Sequence, residues 1–448
     1  MNKKIEKYTL IGLIIIFSIL LYIEYLINSF DNDIYFEIVS GNDLLAGNFS
    51  TASHVSNIPI IVQQWLYSVC LAIADKFNGV YVFVIIQHII LCIVSYVFIY
   101  MKTNDKKKAI ISPFILILLC HGYMINARPQ IITVICLIVE LILVELYKKT
   151  HKYRYLLLVI PILILHANLH QAVFLYSILV LLPYYIDNKK IDLLLVGITP
   201  LYMLCSLCTP YGINGAIYVF NTFMSGVFSN LIKVQEIQPI TILSGKILII
   251  TVAITIYLIY KHRSNKYINT YIFLVFLLSM WSARHTSILY IPLLYIICAI
   301  DSNKLKNTYI LYAWCSILIV LVYIMSLKTP DNYYIKNIPI NDKYAIIYNL
   351  DYDIGGYLEY NGYYNVTFDS RYELYTETFC GEPKLETAKK LNTLYNSNQF
   401  LTDEQYLDLL PTCDYVIIRK TAYGNIILSK YYDVIYTDDY RIIYEVRK

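Results

Sequence analysis

Residues 130–147 read QIITVICLIVELILVELY and run directly into Lys148 and Lys149. At 1.5 Å per residue such a helix covers about 27 Å, close to the thickness of a bilayer's hydrocarbon core. An apolar run of spanning length closed by lysines is the unit from which the rest of the chain is read. Similar runs lie at 8–29, 79–101, 109–125, 155–169, 171–186, 192–208, 242–260, 268–282, 286–300 and 309–327. Together they predict a mainly α, polytopic membrane protein of about 11 transmembrane helices, all within 1–327.

Composition points the same way. The chain is 58% hydrophobic and only 15% charged, with mean hydropathy +0.54. A soluble globular chain carries about 25% charge. The net charge of +4 is small and unevenly spread, so it is a topology signal and not a nucleic-acid patch. Lys3, Lys4 and Lys7 precede the first run, which has spanning length and no small-residue cleavage site, and is read as retained.

Lysine and arginine collect on alternate connections: Lys102, Lys106, Lys107 and Lys108; Lys148, Lys149, Lys152 and Arg154; Lys189 and Lys190; Lys261, Arg263 and Lys266; Lys304 and Lys306. The opposite short loops hold Lys76, Arg128, Lys233, Lys246 and Arg284. The positive-inside rule puts the amino terminus in the cytoplasm, and an odd number of spans sends 328–448 outward. Two outer loops are long, 30–78 and 209–241. The first contains an amphipathic stretch from Asp33 to Leu45, expected along the membrane surface, and a helical piece near Gln63 to Phe77.

After Lys328 the chain becomes polar and rich in tyrosine. Runs of β type at 345–349, 365–369, 414–418, 432–437 and 440–446 alternate with helical patterns at 384–395 and 402–410, which predicts a small extracytoplasmic α/β domain over 328–448. Gly355-Gly356 reads as a turn. Cys380 and Cys413 both fall in this domain, where a disulfide needs a short separation. Cys205 and Cys208 form an isolated CxxC without the second pair a zinc site needs.

Polar residues near the ends of the runs fall on the outer side: Asp33 and Glu37, Arg128, His166, Asn168 and His170, Glu236, Arg284 and His285. Ionisable groups at membrane depth cost several kcal/mol unless they pair or line a wet cavity, so a convergent set marks a site. Each also has a structural role to weigh against that. The arginines suit headgroup anchoring, Asp33 suits a helix cap, and His166 with His170 has metal-ligand spacing across an expected helix break.

These residues sit in short motifs: Asp33-Ile-Tyr-Phe-Glu-Ile-Val-Ser-Gly41, Gln64-Trp65-Leu66, Arg128-Pro129, Asn168-Leu169-His170, Glu236-Ile237-Gln238-Pro239, Ala283-Arg284-His285, Gly355-Gly356-Tyr357-Leu358 and Asp369-Ser370-Arg371. In order and spacing the chain resembles the GT-C superfamily of membrane glycosyltransferases, bacterial enzymes of the protein mannosyltransferase and aminoarabinose transferase type. Glu37 stands where relatives usually show His, and Ile237 where many show Trp.

The resemblance implies an inverting transferase that moves a hexosyl or pentosyl group from a polyprenyl-phosphate donor to an envelope glycan, lipid or protein. Asp33 matches the acidic residue that the family places next to the reaction centre, in the role of proton acceptor. Arg128, Arg284 and His285 are the implied donor phosphate ligands, and Glu37, His170, Glu236, Asp369 and Arg371 the implied substrate contacts. Glu236 either orients the acceptor or holds a divalent ion such as Mg or Mn. Partners are then the lipid-linked sugar, membrane lipids and the envelope acceptor. Two other readings stay open: a polysaccharide polymerase or lipid-linked sugar translocator, and a GT-C-like scaffold without catalysis. A translocator calls for charge along the spans, where Glu140 is the main exception.

Overall fold

The computed structural model describes residues 33–49, 60–120, 127–187, 190–224, 283–299, 338–369, 371–393 and 401–446, with 269–271, 273–275, 277 and 335. Two compact units divide the chain. One comprises Met1–Phe30, Phe77–Gly212 and Val234–Thr329; the other comprises Asp31–Lys76, Ile213–Lys233 and Pro330–Lys448. The second unit therefore joins helices α1 (Asp33–Leu45) and α2 (Trp65–Lys76), from the first long loop, to the carboxy-terminal domain.

In the first unit, α3 (Val80–Thr103) and α4 (Lys106–Leu119) are separated by Asn104, whose left-handed backbone ends α3 with φ 52°. Asp105 then caps α4, its carboxylate accepting from the backbone N–H of Lys107 and Lys108 at 3.0 and 3.1 Å. Helices α5 (Gln130–Thr150) and α6 (Arg154–His170) pack together after His151, again left-handed at φ 53°. Lys102 reaches Glu145 at 2.5 Å and ties α3 to α5, while Tyr184 Oη donates to the same carboxylate at 2.6 Å.

The expectation of eleven spans is overturned. Among the described residues three helices are long and apolar enough to cross a membrane: Val80–Thr103, Gln130–Thr150 and Arg154–Val173. Leu193–Leu207 with Gly212–Thr222 makes a fourth only if that bent pair is one broken span. A hydropathy window adds apolar residues without asking whether one helix carries them. The run at 109–125 is helical only to Leu119, with Pro113 inside it. The run at 171–186 breaks into a 3₁₀ turn, the five-residue helix Leu175–Leu179 and a second 3₁₀ turn at Leu182–Tyr184, with Pro183. That at 286–300 begins as a 3₁₀ segment, Ala283–Leu289, before the ten-residue helix Tyr290–Ala299. Runs 8–29, 242–260, 309–327 and most of 268–282 lie outside the described residues.

The second unit is built on a five-stranded mixed sheet. Its strands are β1 (Ile346–Asn349), β2 (Asn365–Val366), β3 (Tyr415–Arg419), β4 (Asp433–Thr437) and β5 (Arg441–Glu445), in the order β2-β1-β3-β5-β4. β1 is parallel to both neighbours, and β5 is antiparallel to β3 and β4. Ile347, Val416, Ile417, Ile443 and Tyr444 fill its core with Leu358, Val366 and Phe368. Between β1 and β2 the chain forms helix α7 (Gly355–Tyr360), so Gly355-Gly356 opens a helix where the sequence predicts a turn. A Cβ on Gly355 would stand 1.8 Å from the Phe368 carbonyl oxygen, so glycine is what lets α7 lie against the segment after β2.

Helix α1 does not present a surface face. It buries Ile34, Tyr35, Phe36, Glu37, Ile38, Ser40, Gly41 and Leu44, because α2 and α7 both pack on it. Gly41 carries the α1–α2 approach: a Cβ there would sit 2.1 Å from the Ser68 carbonyl oxygen. Tyr35 meets Tyr357 and Tyr360 of α7, each with ring centroids 5.2 Å apart.

Candidate functional site

Asp33 and Glu37 are one helical turn apart and share a face of α1. Asp33 is half-buried, whereas Glu37 is 5% exposed. The Glu37 carboxylate accepts from Gln64 Nε2 with one oxygen and from Ser68 Oγ with the other. Burial pushes its pKa from 4.5 to about 7. The Ser68 and Gln64 hydrogen bonds and the Arg371 charge pull it down, while Asp33 adds to the rise. Glu37 is thus a carboxyl that changes charge near neutrality beside a second carboxyl and within the field of an arginine.

Arg371 belongs to a compact charge cluster after β2. Its Nε donates to Asp369 Oδ2 at 2.6 Å, its backbone N–H donates to Asp369 Oδ1 at 2.7 Å, and its guanidinium lies 3.4 Å from the Glu359 carboxylate. The guanidinium carbon also stands 5.1 Å from the Phe36 ring centroid, next to Glu37 in the chain. Burial would raise the Asp369 carboxyl, but the charge and hydrogen bonds of Arg371 carry it below the ordinary range. Burial and the negative Asp369 hold Glu359 well above it, despite Arg371. The cluster centres on the Asp369–Arg371 ion pair, with Glu359 beside it. Tyr375 Oη accepts from the Asp369 backbone N–H at 2.8 Å and steadies the loop.

A second ion cluster lies at the carboxyl ends of β1 and β3. Asp351 accepts from Arg419 Nε at 2.9 Å and from Arg441 Nε at 2.6 Å, and Arg419 also pairs with Asp353. Because β1 has parallel partners on both sides, these carboxyl ends form the switch point where open α/β sheets bind ligands.

The other sequence-derived residues lie in the first unit. Arg128 is buried just before α5, and His170, the last residue of α6, pairs through Nδ1 with Thr133 Oγ1 at 2.8 Å. His285 is hydrogen-bonded to Tyr176 Oη. Arg284 falls in the 3₁₀ segment Ala283–Leu289, and Glu236 lies outside the described residues. The helix break expected between His166 and His170 comes after His170, and the two rings serve different partners, Ser177 and Thr133. Among the described residues no group of three or more His, Cys, Asp or Glu converges to hold a metal ion. Cys380 and Cys413 are both free thiols, and Cys380 Sγ donates to the Glu382 carbonyl at 2.8 Å.

Within the second unit, then, the structure gathers Asp33, Glu37, Asp369 and Arg371 around α1, α2 and α7. Sequence reasoning missed Ser68 and Glu359. Their signal is visible afterwards: Gln64 and Ser68 are spaced by four, and Glu359 is an acid inside the short apolar-faced turn that follows Gly-Gly. No protein-family model matches the chain, and no curated protein matches its sequence.

Proposed function

We propose that the protein is a membrane glycosyltransferase that moves a sugar from a polyprenyl-phosphate donor to an envelope acceptor outside the cytoplasm. The observation that carries this reading is the carboxyl pair on α1, half-exposed Asp33 backed by buried Glu37, within the field of Arg371. In the reaction an acceptor hydroxyl attacks the anomeric carbon as the bond from that carbon to the phosphate oxygen breaks. The hydroxyl proton passes to the Asp33 carboxylate, and polyprenyl phosphate leaves with the bonding electrons. Glu37, neutral below about pH 7, adds no second negative charge beside Asp33. Donor phosphate ligation by Arg128, Arg284 and His285 is what the GT-C resemblance implies, and guanidinium geometry suits it. The GT-C resemblance implies substrate contacts at His170, Glu236 and Arg371, with Glu236 either orienting the acceptor or holding a divalent ion.

Sidedness rests on charge and does not need the number of spans. Helix α3 carries Lys102 in its last turn and Lys106 to Lys108 follow, which by the positive-inside rule supports a cytoplasmic end there and an outward Val80. Residues 33–76 precede Val80 and group with 330–448 in one unit, and this supports reading that unit as outside. The GT-C resemblance supplies the donor class. The test is transfer of labelled sugar by purified protein in lipid, comparing polyprenyl-phosphate sugars with nucleotide sugars. Transfer from the lipid-linked donors is expected, and transfer from nucleotide sugars alone would overturn the donor assignment.

A further inference from the structure

Residues 212–224 read GINGAIYVFNTFM and form a helix, Gly212–Met224, whose sequence holds no charged side chain. Its two faces differ. Gly215 and Tyr218 are buried, and Tyr218 belongs to the core of the second unit, where its ring meets Phe379 with centroids 5.0 Å apart. Ile213, Ile217, Phe220 and Met224 follow at intervals of four, three and four, which sets them in one stripe on the opposite side. They are 63, 49, 62 and 69% exposed. An uncharged helix already packed by one face, with such a stripe on the other, needs a covering surface.

Connectivity locates that surface. The preceding helix, Leu193–Leu204, starts after Asp192, which accepts from Lys148 Nζ at 2.8 Å and from Tyr147 Oη at 3.1 Å, at the lysine-bearing end of α5. It runs into the turn Cys205–Leu207 at the far end of α6, where Gln171 Nε2 donates to the Ser206 carbonyl at 3.0 Å and Asn168 Nδ2 to the Cys208 carbonyl at 2.8 Å. Both α5 and α6 are long and apolar enough to cross a membrane, so Cys208 stands at a membrane boundary, the one away from the lysines. Leu193, Leu194, Leu201 and Leu204 are exposed along the way, as a helix facing lipid requires. Gly212 follows four residues later, within roughly 14 Å of that boundary even if the link is fully extended.

We infer that the helix Gly212–Met224 lies in the membrane interface, with Ile213, Ile217, Phe220 and Met224 set into the boundary between lipid headgroups and acyl chains, and that it anchors the second unit to the lipid surface. Interfacial helices sink their apolar face about 5–10 Å into that boundary. Because this helix is uncharged, its hold comes from apolar burial and not from attraction to anionic headgroups. A broken span continuing through Thr222 would instead carry Tyr218, and the domain core around it, to membrane depth. The partner is the bilayer, and the anchor does not depend on sugar transfer.

The test is tryptophan fluorescence of the full chain in phosphatidylcholine vesicles, after Trp65, Trp281 and Trp314 are changed to Phe. One reporter is then introduced, as Ile217→Trp or Phe220→Trp on the stripe, or as Asn214→Trp beside it; all three positions are exposed, so the fold tolerates the change. Both stripe reporters should emit at shorter wavelength and lose most of their emission to lipids brominated near the headgroup end of the acyl chain, and far less to lipids brominated at its tip. Asn214→Trp should stay open to iodide in the water. Stripe reporters quenched by iodide and not by bromine overturn the inference, because the stripe then faces water. Strongest quenching by bromine at the chain tip overturns it in favour of a broken span. Shielding from both quenchers also overturns it, since another protein surface, such as a second copy of the chain, then covers the stripe.

Discussion

Replacing Glu37 by Gln offers the sharpest reading of the second unit, because Gln keeps the side chain's volume, can accept from Gln64 Nε2 through its oxygen and donate to Ser68 Oγ through its amide N–H, and removes the titration. Folded, Glu37 titrates near 7; unfolded, it returns to its ordinary 4.5. Between these values the unfolded chain releases a proton that the folded chain keeps, so unfolding becomes more favourable as pH rises. The stability this carboxyl contributes is complete below 4.5 and is lost as pH climbs through about 7. At ~1.4 kcal/mol per pH unit the loss amounts to about 3 kcal/mol, and the group is fully buried, so solvent screening removes little of it. The assay is denaturant unfolding at a series of pH values. Trp65, at the start of α2, serves as the reporter after Trp281 and Trp314 are changed to Phe. Native protein should lose stability from pH 4.5 to about 7, and Glu37→Gln should be nearly flat. Parallel curves would refute the claim that Glu37 is held neutral by burial.

Other consequences follow from the same packing. Gly41→Ala should cost about 3 kcal/mol in the same unfolding assay, since its Cβ would meet the Ser68 backbone carbonyl, which cannot rotate away. Arg371→Met should cost about 3–5 kcal/mol because it strands the Asp369 carboxylate, which is 0% exposed. Adding Asp369→Asn to Arg371→Met should recover part of that loss, a double-mutant cycle that separates the ion pair from simple packing.

Much of the second unit was legible in the chain. The β-type runs at 414–418, 432–437 and 440–446 give β3, β4 and β5 to within a residue, because β-branched and aromatic residues dominate them. Asp33 to Leu45 is helical as its pattern predicts, but that pattern does not say what covers the helix. Its burial between α2 and α7 depends on Gly41 and on contacts more than 300 residues distant in sequence. The turn expected at Gly355-Gly356 fails for a similar reason, since Gly355 serves a close approach that sequence-local turn rules do not contain. Span counting failed where Pro183 and 3₁₀ segments interrupt apolar runs of adequate length. Asp33, Glu37, Asp369 and Arg371 were identifiable as chemistry-bearing residues, whereas the Ser68 and Glu359 interactions that set the charge of this group required the fold.

The most direct test of the proposed activity compares sugar transfer by the native chain and by Asp33→Asn, each purified in lipid, from the same polyprenyl-phosphate donor to envelope acceptor. The account predicts transfer by the native chain and none above background by Asp33→Asn, with both proteins showing the same unfolding profile through Trp65. Equal transfer by the two proteins would contradict the assignment of Asp33 as the proton acceptor, and no transfer by either intact protein would contradict the transferase reading itself.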